Sequence, residues 1–134
     1  MLERNKVYLL SKHDFLLLAA AAGMKGVYGF ELDVESLERG DSIQILQDLT
    51  ARKYMQVVDG KFVPVNEMAE IFGQIKEAET TLEVRKSSGK KCIVYIYDEG
   101  VLVSPSMRRK DMFEVMMMDK AQIWQHLQDE GWIA

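Results

Sequence analysis

Apolar and polar positions follow two periods along this chain, a helical one in the first half and a strand-like one in the second. "KVYLL" (6–10) is short and rich in β-formers, and it predicts a strand. Ser11 then reads as a helix N-cap, with Asp14 as its capping-box acid. "KHDFLLLAAAA" is strongly helix-forming, and Gly23 stands where a left-handed residue would close the helix. This helix is apolar around most of its girth, which places it at the buried centre. "MKGVYGFEL" has no period and reads as loop, while "DVESLERGD" (33–41) reads as a short helix closed at Gly40.

Asp41 or Ser42 is expected to cap the next helix, residues 43–53, whose Ile43, Leu46 and Leu49 follow a three-residue step widened by Ile45. "YMQVVDGKFVPV" (54–65) is a hairpin. Asp59-Gly60 is the favoured type I′ turn pair, setting Val58 opposite Lys61 and Val57 opposite Phe62. Pro64 cannot donate to a ladder, so its strand lies at an edge or ends there. Asn66 is expected to cap a helix whose Met68, Ile71, Phe72 and Ile75 form one face.

After that the period shortens. "TLEVRK" alternates, with Leu82 and Val84 on one side and Glu83 and Arg85 on the other, and "SSGK" turns the chain. "KCIVYIY" is apolar on both faces, as a central strand covered on both sides would be. "DEG" turns again before "VLVS", and Pro105-Ser106 with "RRKD" forms an exposed connection to a last strand, "MFEVMMM" (112–118). Asp119 caps a final helix with Gln122 at the capping-box position; Gly131 ends it and folds Trp132 back onto Leu127. The order predicts an α+β fold, one compact domain over residues 1–134. Residues 11–79 are a winged-helix-like helical part with a β-hairpin, and 80–134 an antiparallel β-meander with a C-terminal helix.

A helix feeding a hairpin raises nucleic-acid binding, and charge counts against it. The formal charge is −4, carried by residues 1–79 with 9 Lys/Arg against 13 Asp/Glu, while residues 80–134 balance at 8 against 8. A surface for a phosphate backbone has the opposite sign. The solvent face of residues 43–53 would be Gln44, Gln47, Asp48, Ala51 and Arg52; glutamine and arginine can read bases, but Asp41 and Asp48 offset Arg52 and Lys53. Upstream, Glu31, Asp33, Glu35, Glu38 and Asp41 face Arg39 alone. Those acids do not make a calcium loop, because "DVESLERGDSIQ" lacks the sixth-position glycine and the terminal glutamate.

Little else carries chemistry. The single cysteine, Cys92, sits in an apolar strand and reads as a buried, inert thiol. His13 and His126 each lack a second ligand at metal spacing. No catalytic, cofactor or metal residue is assigned, and the chain reads as a non-enzyme. "MRRKD" (107–111) is a solvated basic turn or an anion site. "FLLLAAAAGM" is about half of the ~20 residues a membrane span needs, and no signal peptide precedes it, so a cytoplasmic, membrane-free protein is expected.

The most unusual run is "DMFEVMMMDK", with four of the nine methionines within 112–118. Met112, Met116 and Met118 share a strand face with Glu114, and Phe113, Val115 and Met117 share the other. Methionine suits both core filling and adaptable protein contacts. A strand apolar on both sides needs two covers, so one of these faces meets the first sub-part or another protein; the same holds for Tyr95 and Tyr97. Met112, Met116, Met118, Tyr95 and Tyr97 are therefore the candidate partner-binding residues.

"SKHDFLLLAAAAGMKGVYGF", then "LQDLTARKYMQVVDGKFVPV", then "AETTLEVRKSSGKKCIVYIYDEGVLV", occur in an order that resembles one half of an EspG-type chaperone of ESX (type VII) secretion systems. The sharpest pieces are "DGKFVP" and "LEVRKSSG", and the resemblance spans about residues 7–104. It implies a cytosolic protein that binds a helical secretion substrate and keeps it soluble. The family chain has two such halves, which implies that two copies of this one pair as a homodimer. It carries over no contact residue. The alternative expectation is a winged-helix transcriptional regulator whose C-terminal sheet dimerises or binds a ligand; an unrecognised small-molecule enzyme is a third.

Overall fold

A computed structural model of the chain describes residues 6–24, 26–27, 32–33, 39–106, 109 and 111–133. The fold is α+β. Strand β1 (Val7–Ser11) leads into α1 (Lys12–Ala21), then come two short strands, β2 (Gly26–Val27) and β3 (Leu32–Asp33), and helix α2 (Arg39–Ala51). The hairpin β4 (Met55–Val58) and β5 (Lys61–Pro64) precedes α3 (Asn66–Lys76). Strands β6 (Thr80–Arg85), β7 (Lys91–Ile96), β8 (Gly100–Pro105) and β9 (Met112–Met118) follow, then a 3-10 turn (Lys120–Gln122) and α4 (Ile123–Asp129).

The main sheet is antiparallel throughout, in the order β1-β9-β8-β7-β6. The meander supplies four strands, and the first strand of the chain docks beside the last. Its pleat sorts side chains onto two faces. The inner face sends Tyr8, Leu10, Ile93, Tyr95, Val101, Val103, Val115 and Met117 into a core shared with Phe15 and Leu18 of α1, Leu49 of α2 and Met68, Ile71, Phe72 and Ile75 of α3. At its centre Phe15 lies between Phe72 and Phe113, with ring centroids 5.0 and 5.9 Å away. The outer face sends Cys92, Val94, Leu102 and Met118 against Ile123 and Leu127 of α4. This division answers how a strand apolar on both sides is covered: the helical part takes one face and α4 the other.

Local signals place the element ends. Ser11 Oγ accepts the Asp14 amide and Asp14 Oδ2 accepts the Ser11 amide, both at 3.0 Å, a complete capping box. Past α1, Gly23 (φ 92°) turns left-handed, and the amides of Gly23 and Met24 donate to Ala20 and Ala19 at 2.9 and 3.0 Å. Gly131 (φ 77°) closes α4 in the same way, and the Trp132 amide donates to Leu127 at 2.8 Å. Asp59 and Gly60 both have positive φ, 51° and 77°, so the hairpin has its type I′ turn and the expected register. Asp119 Oδ1 accepts the Ala121 amide, capping the 3-10 turn that leads into α4.

Several expectations are corrected. Gly40 does not close a helix: α2 begins at Arg39 and runs through Gly40, Asp41 and Ser42, since a glycine in a first turn breaks no helical bond. Residues 34–38 of the expected short helix lie outside the described residues. Ile43 is 57% exposed, so the buried stripe of α2 is Ile45, Leu46 and Leu49. Asn66 caps nothing; it adopts φ 52°, a left-handed geometry asparagine tolerates, and α3 starts without a side-chain cap. The expected loop after α1 contains the two-residue ladder of β2 and β3. Among the described residues no helix is long and apolar enough to cross a membrane.

Candidate protein-binding surfaces

The winged-helix-like surface is built from the exposed side of α2 and the hairpin. Gln44, Gln47, Asp48 and Ala51 are exposed on α2. Its arginine is already engaged. Arg52 Nη2 lies 2.9 Å from both Asp14 Oδ2 and Asp48 Oδ2, and the guanidinium sits 5.1 Å from the Tyr54 ring centroid. Burial pulls the Arg52 pKa down, but the Asp14 hydrogen bond and the charges of Asp14 and Asp48 outweigh it, and the net shift is upward. Lys53 and Lys61 are the nearby exposed cations whose side chains are described. On the hairpin strands Val57, Val58 and Phe62 are exposed, Val57 and Phe62 as cross-strand partners, while the turn carries the exposed Asp59. Exposed hydrocarbon on the hairpin strands suits contact with polypeptide, and at the tip Asp59 offsets the one cation, Lys61, that could meet phosphate.

The second surface is the outer sheet face beside α4. Seven helical residues span roughly 10 Å, too little to cover five strands about 4.8 Å apart. Uncovered is a hollow of about 150 Å³ floored by Leu102, Ser104, Glu114 and Met116 and walled by His126 and Trp132. Val7 of β1 forms its far lip. The Glu114 side chain is half-buried there, its carboxylate without a hydrogen-bond or ion-pair partner among the described residues. Lys86 holds its ammonium 4.4 Å from the Trp132 ring centroid at the other rim.

The five residues expected to meet a partner do not form one surface. Tyr95 points to the inner face and is 2% exposed, locked among the helices. Met118 is also 2% exposed, under Ile123 and Leu127. Neither can touch another molecule in this fold, because the faces read as open at those positions are the ones the helices cover. Met112 and Met116 are half-buried on the outer face, and Met116 reaches the hollow. Tyr97 is exposed just past the end of β7, where its carbonyl accepts the Lys120 ammonium at 3.4 Å. Sequence reasoning missed the exposure of Val7, Leu9, Val57 and Phe62. The signal was present in "VYLLS", apolar at four successive positions on a strand that has only one face to bury.

Chemical groups are sparse. Cys92 is fully buried, and burial pushes its thiol up to about 11, against a smaller opposing pull from Lys86. His13 is exposed, and His126 stands in the hollow beside Glu130. Among the described residues no three His, Cys, Asp or Glu side chains cluster as metal ligands would. Met107, Arg108 and Lys110 of the basic turn lie outside the described residues, as do Glu31, Glu35 and Glu38 of the acidic stretch. Neither a protein-family model nor a curated protein matches the sequence.

Proposed function

We propose that this chain is a non-enzymatic cytosolic protein-binding domain, a chaperone or adaptor for a helical type VII secretion substrate, working as a homodimer. The observation that carries the reading is an arginine neutralised by two carboxylates at the end of α2, followed by a hairpin on which the cross-strand pair Val57 and Phe62 is exposed, as is Val58. A duplex binder gains affinity from several phosphate contacts, and this surface has few free cations to make them. The buried Cys92, with its thiol raised, supports a role without a nucleophile.

A winged-helix regulator is the second reading, and one observation favours it. Gln44 and Gln47 are exposed on α2, and a glutamine amide can pair with adenine in a major groove. The two separate by salt. Titration with a secreted helical-hairpin protein of a type VII system should give binding that persists from low to physiological salt, and Val57→Asp with Phe62→Asp should abolish it. Binding to mixed-sequence DNA that falls steeply over the same salt range, with no hairpin protein bound, would overturn the proposal.

A further inference from the structure

The two edges of the main sheet are unlike. The β6 edge carries Glu83, which bridges to Arg85 and Lys91 at 3.3 and 3.2 Å, charges of the kind that keep strand edges from pairing. The β1 edge, Val-Tyr-Leu-Leu-Ser, has no charge within the strand, and Val7 and Leu9 are 42% and 36% exposed on its outer face.

The hydrogen bonds fix which backbone groups face that open edge. The Ser11 amide donates to Asp14 Oδ2, away from β9, and the carbonyl of Met112, its register partner, accepts from Ser106 on the β8 side. Ser11 and Met112 are therefore a non-hydrogen-bonded pair, and alternation makes Leu10–Phe113 and Tyr8–Val115 the bonded ones. The N–H and C=O of Val7 and Leu9 consequently point outward, with no partner among the described residues.

We propose that this edge binds the same edge of a second copy, β1 against β1 in antiparallel register about Tyr8, joining two five-stranded sheets into one of ten strands. The inference rests on the reading that two copies pair, and it says where. Val7 opposite Leu9 of the second copy, and Leu9 opposite its Val7, saturate all four outward groups of each chain. Four exposed apolar side chains then form one row on the outer face. Charge selects the register: pairing about Tyr8 sets Lys6 against a leucine, whereas pairing about Leu9 sets it against Lys12. A single five-residue strand pair buries less than the roughly 1,200 Å² of a stable interface, so the dimer is weak and concentration-dependent.

Residues opposite each other in a bonded pair lie about 5.5 Å apart at Cα, within disulfide reach, while the diagonal Val7–Val7 and Leu9–Leu9 distances are roughly 8–9 Å. A mixture of Val7→Cys and Leu9→Cys proteins should cross-link under mild oxidation, and each variant alone should not. Leu9→Lys should raise the dimer midpoint in sedimentation by about tenfold or more. In the unmodified chain, the Val7 and Leu9 amides should exchange more slowly as concentration rises. Cross-linking of Leu9→Cys alone, or fast exchange of both amides at every concentration, overturns the interface. So does protection that appears only when a different protein is added. If sedimentation still reports a dimer in those cases, pairing of copies survives at another surface; a monomer throughout removes both.

Discussion

Arg52 Nη2 and Asp14 Oδ2 meet at 2.9 Å, and that same carboxylate oxygen accepts the Ser11 amide that opens α1. One atom thus caps a helix and holds the end of another element 38 residues away. Tyr54, beneath the guanidinium, packs edge-on against Tyr8 at 6.2 Å, so β1, α1, α2 and β4 converge here.

Asp14→Ala should therefore lose about 2 kcal/mol, about 1 from the cap and the remainder from a guanidinium left with the exposed Asp48 as its one carboxylate. The Arg52 side chain keeps 32% of its surface in water, which limits the ion-pair share. In a double-mutant cycle with Arg52→Met, urea unfolding should show a coupling of about 1 kcal/mol. Strict additivity would mean that the two residues act separately.

Lys53 ends α2 in a position most helices give to glycine. Its φ is 63°, and the amides of Lys53 and Tyr54 donate to Thr50 and Leu49, both at 3.0 Å, the same closure Gly23 and Gly131 make. Lys53→Gly should stabilise the protein by about 0.5–1 kcal/mol by removing the left-handed strain of a β-carbon. A fall in thermal midpoint would show that the lysine side chain contributes more than its backbone loses.

Gly100 is the seat of α4. A Cβ there would lie 2.5 Å from Ile123 Cδ1, a clash with a side chain that is itself buried. Gly100→Ala should destabilise by about 1–3 kcal/mol and loosen α4 over the outer face. The readout is Cys92: a thiol-specific reagent that labels it slowly in the native chain should label it much faster in the variant. Unchanged labelling would mean that the sheet, not α4, protects the thiol.

Cys92 also sets an alkaline limit. Its thiol is raised from an ordinary 9.0 to about 11 in the folded chain, so the unfolded state releases its proton first. The stability this group contributes is fully present below pH 9 and is lost as pH rises toward 11, by up to about 2–3 kcal/mol. Cys92→Ala should flatten that limb of the stability profile. A slope identical in both proteins would assign alkaline unfolding to other groups.

Much of the fold was legible because its signals are local. Ser11 with Asp14, Gly23, Asp59-Gly60, the α3 face and Gly131 each act within a few residues, and each stands where the pattern placed it. The misreadings share the opposite character. Tyr95 and Met118 looked available because the pattern shows that a strand is apolar on both sides but not which face each helix will take. Arg52 was placed on the solvent face with Asp48 offsetting it, but its bond to Asp14 was invisible because the two are 38 residues apart. Lys53 has no left-handed signature in residue type, and Asn66, which tolerates that geometry, equally suits a cap; only the requirement to turn into the next element puts both there.

The adjacency of β1 and β9 constrains how the molecule is made. During synthesis Val7 leaves the ribosome long before Met116, its partner, so the helical part is complete while the sheet that will floor it is still being translated. Until then Phe15, Leu18 and Phe72 have no opposing layer. A nascent chain of this design carries a wet hydrophobic surface through most of its elongation, and early pauses or truncations before β9 should yield aggregates rather than a smaller stable domain.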